Sequence, residues 1–177
     1  MERVATRLCA LALMIISSML LLSAAAWSER AEFEVNSLRG LDGVVALTNK
    51  LNPAYAKDGL TTDSVQQIVE QRLKAGGIKV LSKDDIAKSP GTPLLLVNLS
   101  LMETEPGTYA YSLDLELYQI VLLARDTEIP SLARTWSEGI VGSVSANSMK
   151  QLNTRISSLI DEFVSDFTTA NLKVQHG

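Results

Sequence analysis

Cysteine is nearly absent from this chain of 177 residues: Cys9 is the only one, and it lies close to the start. Everything after residue 9 is therefore without disulfides, thiolate nucleophiles and cysteine-based metal ligands. Histidine is as scarce. His176 is the only one and sits next to the last residue, where a frayed end would not hold a general base in place, so a Ser-His-Asp triad is not expected. Positive charge is not in excess either, with 16 Lys and Arg against 20 Asp and Glu. No basic run or basic-aromatic interleaving is present, which argues against nucleic acid as a partner. Glycine-rich phosphate loops, G-x-G-x-x-G and G-x-S-x-G are missing as well. No cofactor is expected.

What is present begins with an export pattern. Arg3 and Arg7 precede a run without charge from Leu8 to Ala26, and Ala24, Ala25 and Ala26 provide the small residues that a signal peptidase needs. Residues 1–26 read as a secretory signal peptide. Cys9 stands at the start of the apolar run rather than its end, which does not fit lipid attachment. A membrane contact is expected only if the segment stays uncleaved, because 19 apolar residues could just span a bilayer. Without Arg3, Arg7 and Glu2, the basic and acidic totals become 14 and 19, a formal net charge of −5. Residues 27–37 read as a flexible lead-in, 38–171 as one domain and 172–177 as a frayed tail.

Within the domain the predicted elements alternate in kind. Residues 38–51 read as a first strand, ended by Asn52-Pro53. Thr61-Thr62-Asp63 supplies helix-capping oxygens, Val65, Ile68, Val69 and Leu73 follow at helical spacing, and Gly76-Gly77 stops the helix. Ile78 to Leu81 reads as a short strand. Ser82 and Asp85 suggest a helical turn or two before Pro90. Strands are predicted over 94–103, 108–124 and 132–144, with turns at Pro106-Gly107 and at Asp126 to Pro130. From Ser148 to Asn171 the stripe Met149, Leu152, Ile156, Leu159, Ile160, Phe163 and Phe167 predicts a long amphipathic helix. The fold class is α+β: a mostly antiparallel sheet of four to five strands in β-α-β-β-β-β-α order, with two helices on one face.

The middle strands constrain each other's register. A plain two-residue loop at Pro106-Gly107 would set Leu101 against Ser112 and Leu99 against Asp114, joining a dry face to a wet one. A one-residue shift, through an odd loop or a bulge, repairs the mismatch because strand side chains have a period of two. The predicted pairs are then Leu101 with Leu113, Leu99 with Leu115 and Val97 with Leu117. Asn98, Ser100, Asp114 and Glu116 fall together on the opposite face. They form a polar cluster that could bind a cation or place an acid and a base, or simply be the wet side of a sheet. The same register sets Leu96 beside Tyr118 and Leu94 beside Ile120. If alternation holds, Leu94, Leu96, Tyr118 and Ile120 make an apolar patch away from the helices, a candidate partner surface. A bulge near Tyr118-Gln119 would instead return Ile120 and Leu122 to the core. Tyr109, Tyr111 and Trp136 read as caps on the sheet core.

Asp58-Gly59-Leu60-Thr61, Gly76 to Leu81, Pro90-Gly91-Thr92-Pro93 with its following strand, Tyr109-Ala110-Tyr111-Ser112 and Ala133-Arg134-Thr135-Trp136 together resemble a family of small exported bacterial α+β proteins without assigned activity. The likeness covers most of residues 38–170 and carries no residue with a role. The element order is also similar to envelope-assembly domains such as the N-terminal domain of the Tol-system propeller protein. The second likeness is one of topology and does not fix function. The missing catalytic inventory and the possible apolar outer patch point to a periplasmic or secreted, non-enzymatic binding or assembly module, whose partner would be another envelope protein or a second copy. A hydrolase or metal-dependent enzyme built on Asp114 and Glu116 is the alternative. Export predicts that N-terminal sequencing of the protein from its host returns Trp27 or Ala26. An intact Met1 on a membrane-bound chain would contradict cleavage.

Overall fold

Alternating leucines between residues 94 and 117 commit two neighbouring strands to a sheet with one dry face. The computed structural model describes residues 32–86 and 88–172, so the expected signal peptide, Cys9 and His176 lie outside the described residues. The sheet has four strands: β1 (Val45–Thr48), β2 (Leu94–Glu105), β3 (Thr108–Leu123) and β4 (Asp126–Ser145), in the spatial order β1-β2-β3-β4. β1 runs parallel to β2, and the other pairs are antiparallel. The helices are α1 (Thr62–Ala75), a single turn α2 (Lys83–Ile86) and α3 (Gln151–Leu172), with a 3-10 segment at Pro53–Asp58. The fold is α+β, as expected from the sequence.

Capping and close approach fix the helices. The Thr61 hydroxyl accepts from the Ser64 amide and the Ser64 hydroxyl accepts from the Thr61 amide, both at 3.0 Å, which satisfies two otherwise free donors at the start of α1. At its other end a Cβ on Gly76 would stand 2.5 Å from Val164 Cγ1, so only glycine lets α1 close on α3. Val65, Val69 and Leu73 of α1 and Leu152, Ile156, Ile160 and Phe163 of α3 are buried in one cluster with Leu95, Val97, Leu99, Leu113, Leu115 and Leu117 of the sheet. Both long helices therefore cover the same face. Trp136 closes the β4 side. Its ring meets Phe163 edge-on at 5.0 Å and 71°, and its Nε1 donates to Asp166 Oδ2 at 2.9 Å, so the indole is buried without losing its hydrogen bond.

Several expectations change in detail. The first strand does not fill residues 38–51; pairing is confined to Val45–Thr48. Residues 32–36 are helical rather than lead-in, and Leu38 is wholly buried as an anchor. Ile78–Leu81 makes only one parallel bridge, Val44 with Val80, on the free edge of β1. β4 starts at Asp126, not 132, because the turn is the tighter Ala124-Arg125 and Leu123 already faces Asp126. Pro130 lies inside the strand, which an edge strand tolerates.

The register is a correction of two residues. Leu99 faces Leu113, Val97 faces Leu115 and Leu95 faces Leu117, so each predicted partner is displaced by two although the dry faces match. The turn is a two-residue loop after all, with Glu105 facing Thr108 and Gly107 at φ 75°, and the repairing shift is a bulge between Glu103 and Glu105. A bulge displaces the partner strand by one position in either direction, and both directions restore parity.

Phe163 of α3 is wholly buried in the core and meets Trp136 of β4 edge-on. Its replacement by alanine is expected to cost about 3–5 kcal/mol in urea unfolding, the range for deleting a buried aromatic. A loss under about 1 kcal/mol would show that α3 does not hold the core.

Candidate functional site

The uncovered face of the sheet collects the side chains that the helices do not bury. Alternation along β3 persists to its end: Leu117 is buried, Tyr118 is half-buried, Gln119 is buried and Ile120 is exposed. The alternative, a bulge near Tyr118-Gln119 that returns Ile120 to the core, does not occur. The bulge of this region sits on β4 instead, where Leu117 faces Trp136 but Tyr118 faces Arg134, leaving Thr135 as the extra residue. Gln119 takes up the dry-face position there. Its amide donates to the Thr135 hydroxyl at 2.7 Å and to the Ser37 carbonyl at 3.1 Å, so a buried polar side chain is satisfied.

The patch consists of directly opposed pairs. Leu94 faces Tyr118, Ile120 faces Leu132 and Leu122 faces Pro130. Leu96 faces Glu116, not Tyr118, and Leu94 does not face Ile120, because of the two-residue offset in register. All four predicted patch residues still share the face. Ile120 is 46% exposed, Leu122 61% and Leu132 64%, while Leu94, Leu96 and Tyr118 are half-buried. Leu132, which the sequence pattern around 132–144 did not single out, extends the patch onto β4.

The polar residues fall beyond this patch along the same strands. Asn98 faces Asp114 and Ser100 faces Ser112. Glu116 stands at the boundary and is the best-held of them. Its Oε1 accepts from Arg134 at 2.6 Å, and its Oε2 accepts from the Tyr118 hydroxyl at 3.2 Å and from the Asn98 amide at 3.4 Å. Glu116 is 14% exposed at its side chain and Arg134 54%. The hydrogen bond to Glu116, aided by that carboxylate's charge, holds the Arg134 guanidinium above its ordinary range. Asp114 accepts from the Ser112 hydroxyl at 2.9 Å and lies over Gly139, where a Cβ would come within 2.6 Å of Oδ1. Both oxygens of Glu116 are thus engaged by donors from three side chains, which fix its orientation. Among the described residues no group of three or more His, Cys, Asp or Glu could hold a metal ion. Arg134 escaped the sequence reading because its partner lies 18 positions away on another strand. The signal available was the cross-strand rule itself: an arginine and a glutamate on one face of neighbouring strands.

No family model matches the sequence, and no curated protein matches it. Among the described residues no helix is long and apolar enough to cross a membrane.

The Arg134–Glu116 pair is open to water on one side, so its coupling should be modest. A double-mutant cycle with Arg134→Ala and Glu116→Gln, followed by urea unfolding, is expected to give a coupling of about 0.5–1 kcal/mol that shrinks in molar salt. Exact additivity of the two changes would mean that the pair does not bind.

Proposed function

We propose that this chain is an exported, non-enzymatic binding module of the bacterial envelope, and that it meets its partner through the uncovered face of the sheet. The observation that carries the reading is the continuous apolar surface made by Leu94, Leu96, Tyr118, Ile120, Leu122 and Leu132, bounded by the fixed Glu116–Arg134 pair. Single exposed leucines are ordinary, but opposed pairs across three strands form a contiguous patch of the kind that partners cover. The ion pair at its margin resembles the polar rim of an interface: apolar area contributes affinity, at about 25 cal/mol per Å² buried before association costs, and the charged margin orients the partner. The basic start, the charge-free run from Leu8 to Ala26 and the alanine triplet at its end support export, and the resemblance to small exported bacterial proteins points to the same compartment.

A charge at the centre of the patch should weaken association and leave the fold intact. Ile120→Lys is expected to lose co-sedimentation with envelope proteins of the host while melting within a few degrees of the parent. Unfolding of the variant would place Ile120 in the core. Unchanged melting together with unchanged association would remove the patch as an interface.

A further inference from the structure

The sheet has two edges; the described residues cover the β1 side, and they meet the backbone of the β4 side at Thr135. On the β1 side the Val44 amide donates to the Lys79 carbonyl at 3.0 Å and the Leu81 amide donates to the Val44 carbonyl at 2.8 Å. Where β1 ends, β2 is covered next. The Asn49 amide group donates to the Leu99 carbonyl at 3.0 Å and accepts from the Leu99 amide at 2.9 Å, replacing a strand, and the Tyr55 hydroxyl donates to the Leu101 carbonyl at 3.1 Å. On the β4 side the Ser37 hydroxyl donates to the Thr135 carbonyl at 3.1 Å. Past that point, from Gly139 to Ser145, no described residue pairs with the outer edge of β4.

Which groups are free there follows from the ladder. The Ala146 amide donates inward to the Gly107 carbonyl, so the even-numbered residues of this stretch bond to β3 and the odd-numbered ones point outward. The Gly139 amide, the first outward donor, is taken up by the Glu138 carboxylate at 3.2 Å. Val141, Ser143 and Ser145 then present their amides and carbonyls outward, with no partner among the described residues. Natural sheets protect such edges with charge, proline or an inward twist. Here the run Gly-Ile-Val-Gly-Ser-Val-Ser has neither charge nor proline, and Val141 is 82% exposed.

We propose that residues 139–145 of β4 pair antiparallel with the same residues of a second copy, joining two sheets into one across a two-fold axis. The stretch is self-complementary when the axis passes at Gly142. Val141 then exchanges hydrogen bonds with Ser143 of the second copy, and Ile140 meets Val144 on the dry face, where both continue the existing core. Gly142 places no side chain on the axis. Charge selects the same place. The chain carries a net charge of −4, yet Gly139 to Met149 contains no charged residue, so two acidic copies meet without like charges opposed. The contact is separate from the apolar face argued above and leaves that face open.

The test is sedimentation equilibrium of the intact protein at micromolar concentration, alongside Ser143→Pro. Because the Ser143 amide points outward, proline there spares the β3–β4 ladder and removes a donor that only the second copy uses. A dimer is expected for the parent, and Ser143→Pro should weaken it at least about tenfold with the melting temperature nearly kept. Hydrogen exchange supplies an independent reading if that variant folds poorly. In the parent, the Val141 and Ser143 amides should gain protection as concentration rises, while Leu132 should not. A monomeric parent, a dimer that survives Ser143→Pro, or exchange at Val141 and Ser143 that ignores concentration would each overturn the pairing. So would a dimer that dissociates on Ile120→Lys and not on Ser143→Pro, which would assign the contact to the sheet face.

Discussion

Among the described residues the sheet is covered on one face only, and from this constraint the other features follow. Both long helices lie on the side of Leu95, Val97, Leu99, Leu113, Leu115 and Leu117, and these side chains are buried because α1 and α3 meet over them. The two-residue period of a strand then leaves the intervening side chains no helix to meet. Polar residues accept that position readily, and Asn98, Ser100, Ser112 and Asp114 occupy it at one end of the strands. At the other end Leu94, Ile120, Leu122 and Leu132 occupy it, and there the composition departs from what a solvated face requires. The departure begins at Glu116, which divides the two halves and is itself fixed by Arg134, Tyr118 and Asn98.

The parts of this arrangement that were legible in the sequence are those set by short-range periodicity. The α3 stripe from Leu152 to Phe163, the Thr61 cap and the leucine alternation of β2 and β3 are each set within a few residues, and each appears in the structure where the pattern placed it, although α3 starts at Gln151 rather than Ser148. What failed depends on partners far along the chain. β1 is cut to Val45–Thr48 because Asn49 leaves the strand to cap β2 with its side chain, a substitution of side chain for backbone that no propensity anticipates. The β2–β3 register was ambiguous because a shift by one residue in either direction restores the match of dry faces, and only the bulge between Glu103 and Glu105 selects between them. The polar cluster was legible as four residues on a face, but its electrostatic centre was not, since Arg134 belongs to a strand whose start was placed six residues late.

Bulges do more here than adjust register. The extra residue at Thr135 lets Trp136 turn inward onto Phe163 while Arg134 turns outward onto Glu116. One irregularity in β4 therefore joins the buried aromatic contact to the margin of the exposed patch. It also brings the Thr135 hydroxyl to the buried amide of Gln119, which in turn holds the carbonyl of Ser37. The segment around Ser37 is tied to β4 at the same place, so that edge is held at Thr135 by the feature that shapes the face.

This coupling gives the two proposed contact surfaces different physical characters. The face around Ile120 is apolar and rigidly framed, so a partner there would gain mainly by removing leucine and tyrosine surface from water, with Glu116 and Arg134 setting its orientation. The edge beyond Gly139 is nearly the reverse. It has little side-chain area to bury but a row of outward amides and carbonyls whose directions are already fixed by the β3 ladder. Strand pairing uses those directions and little else, so it tolerates the glycines and serines of residues 139–145 that would make a poor apolar interface. The division of β4 at Thr135, apolar face on one side and bare edge on the other, lets a single long strand offer both kinds of contact without either blocking the other.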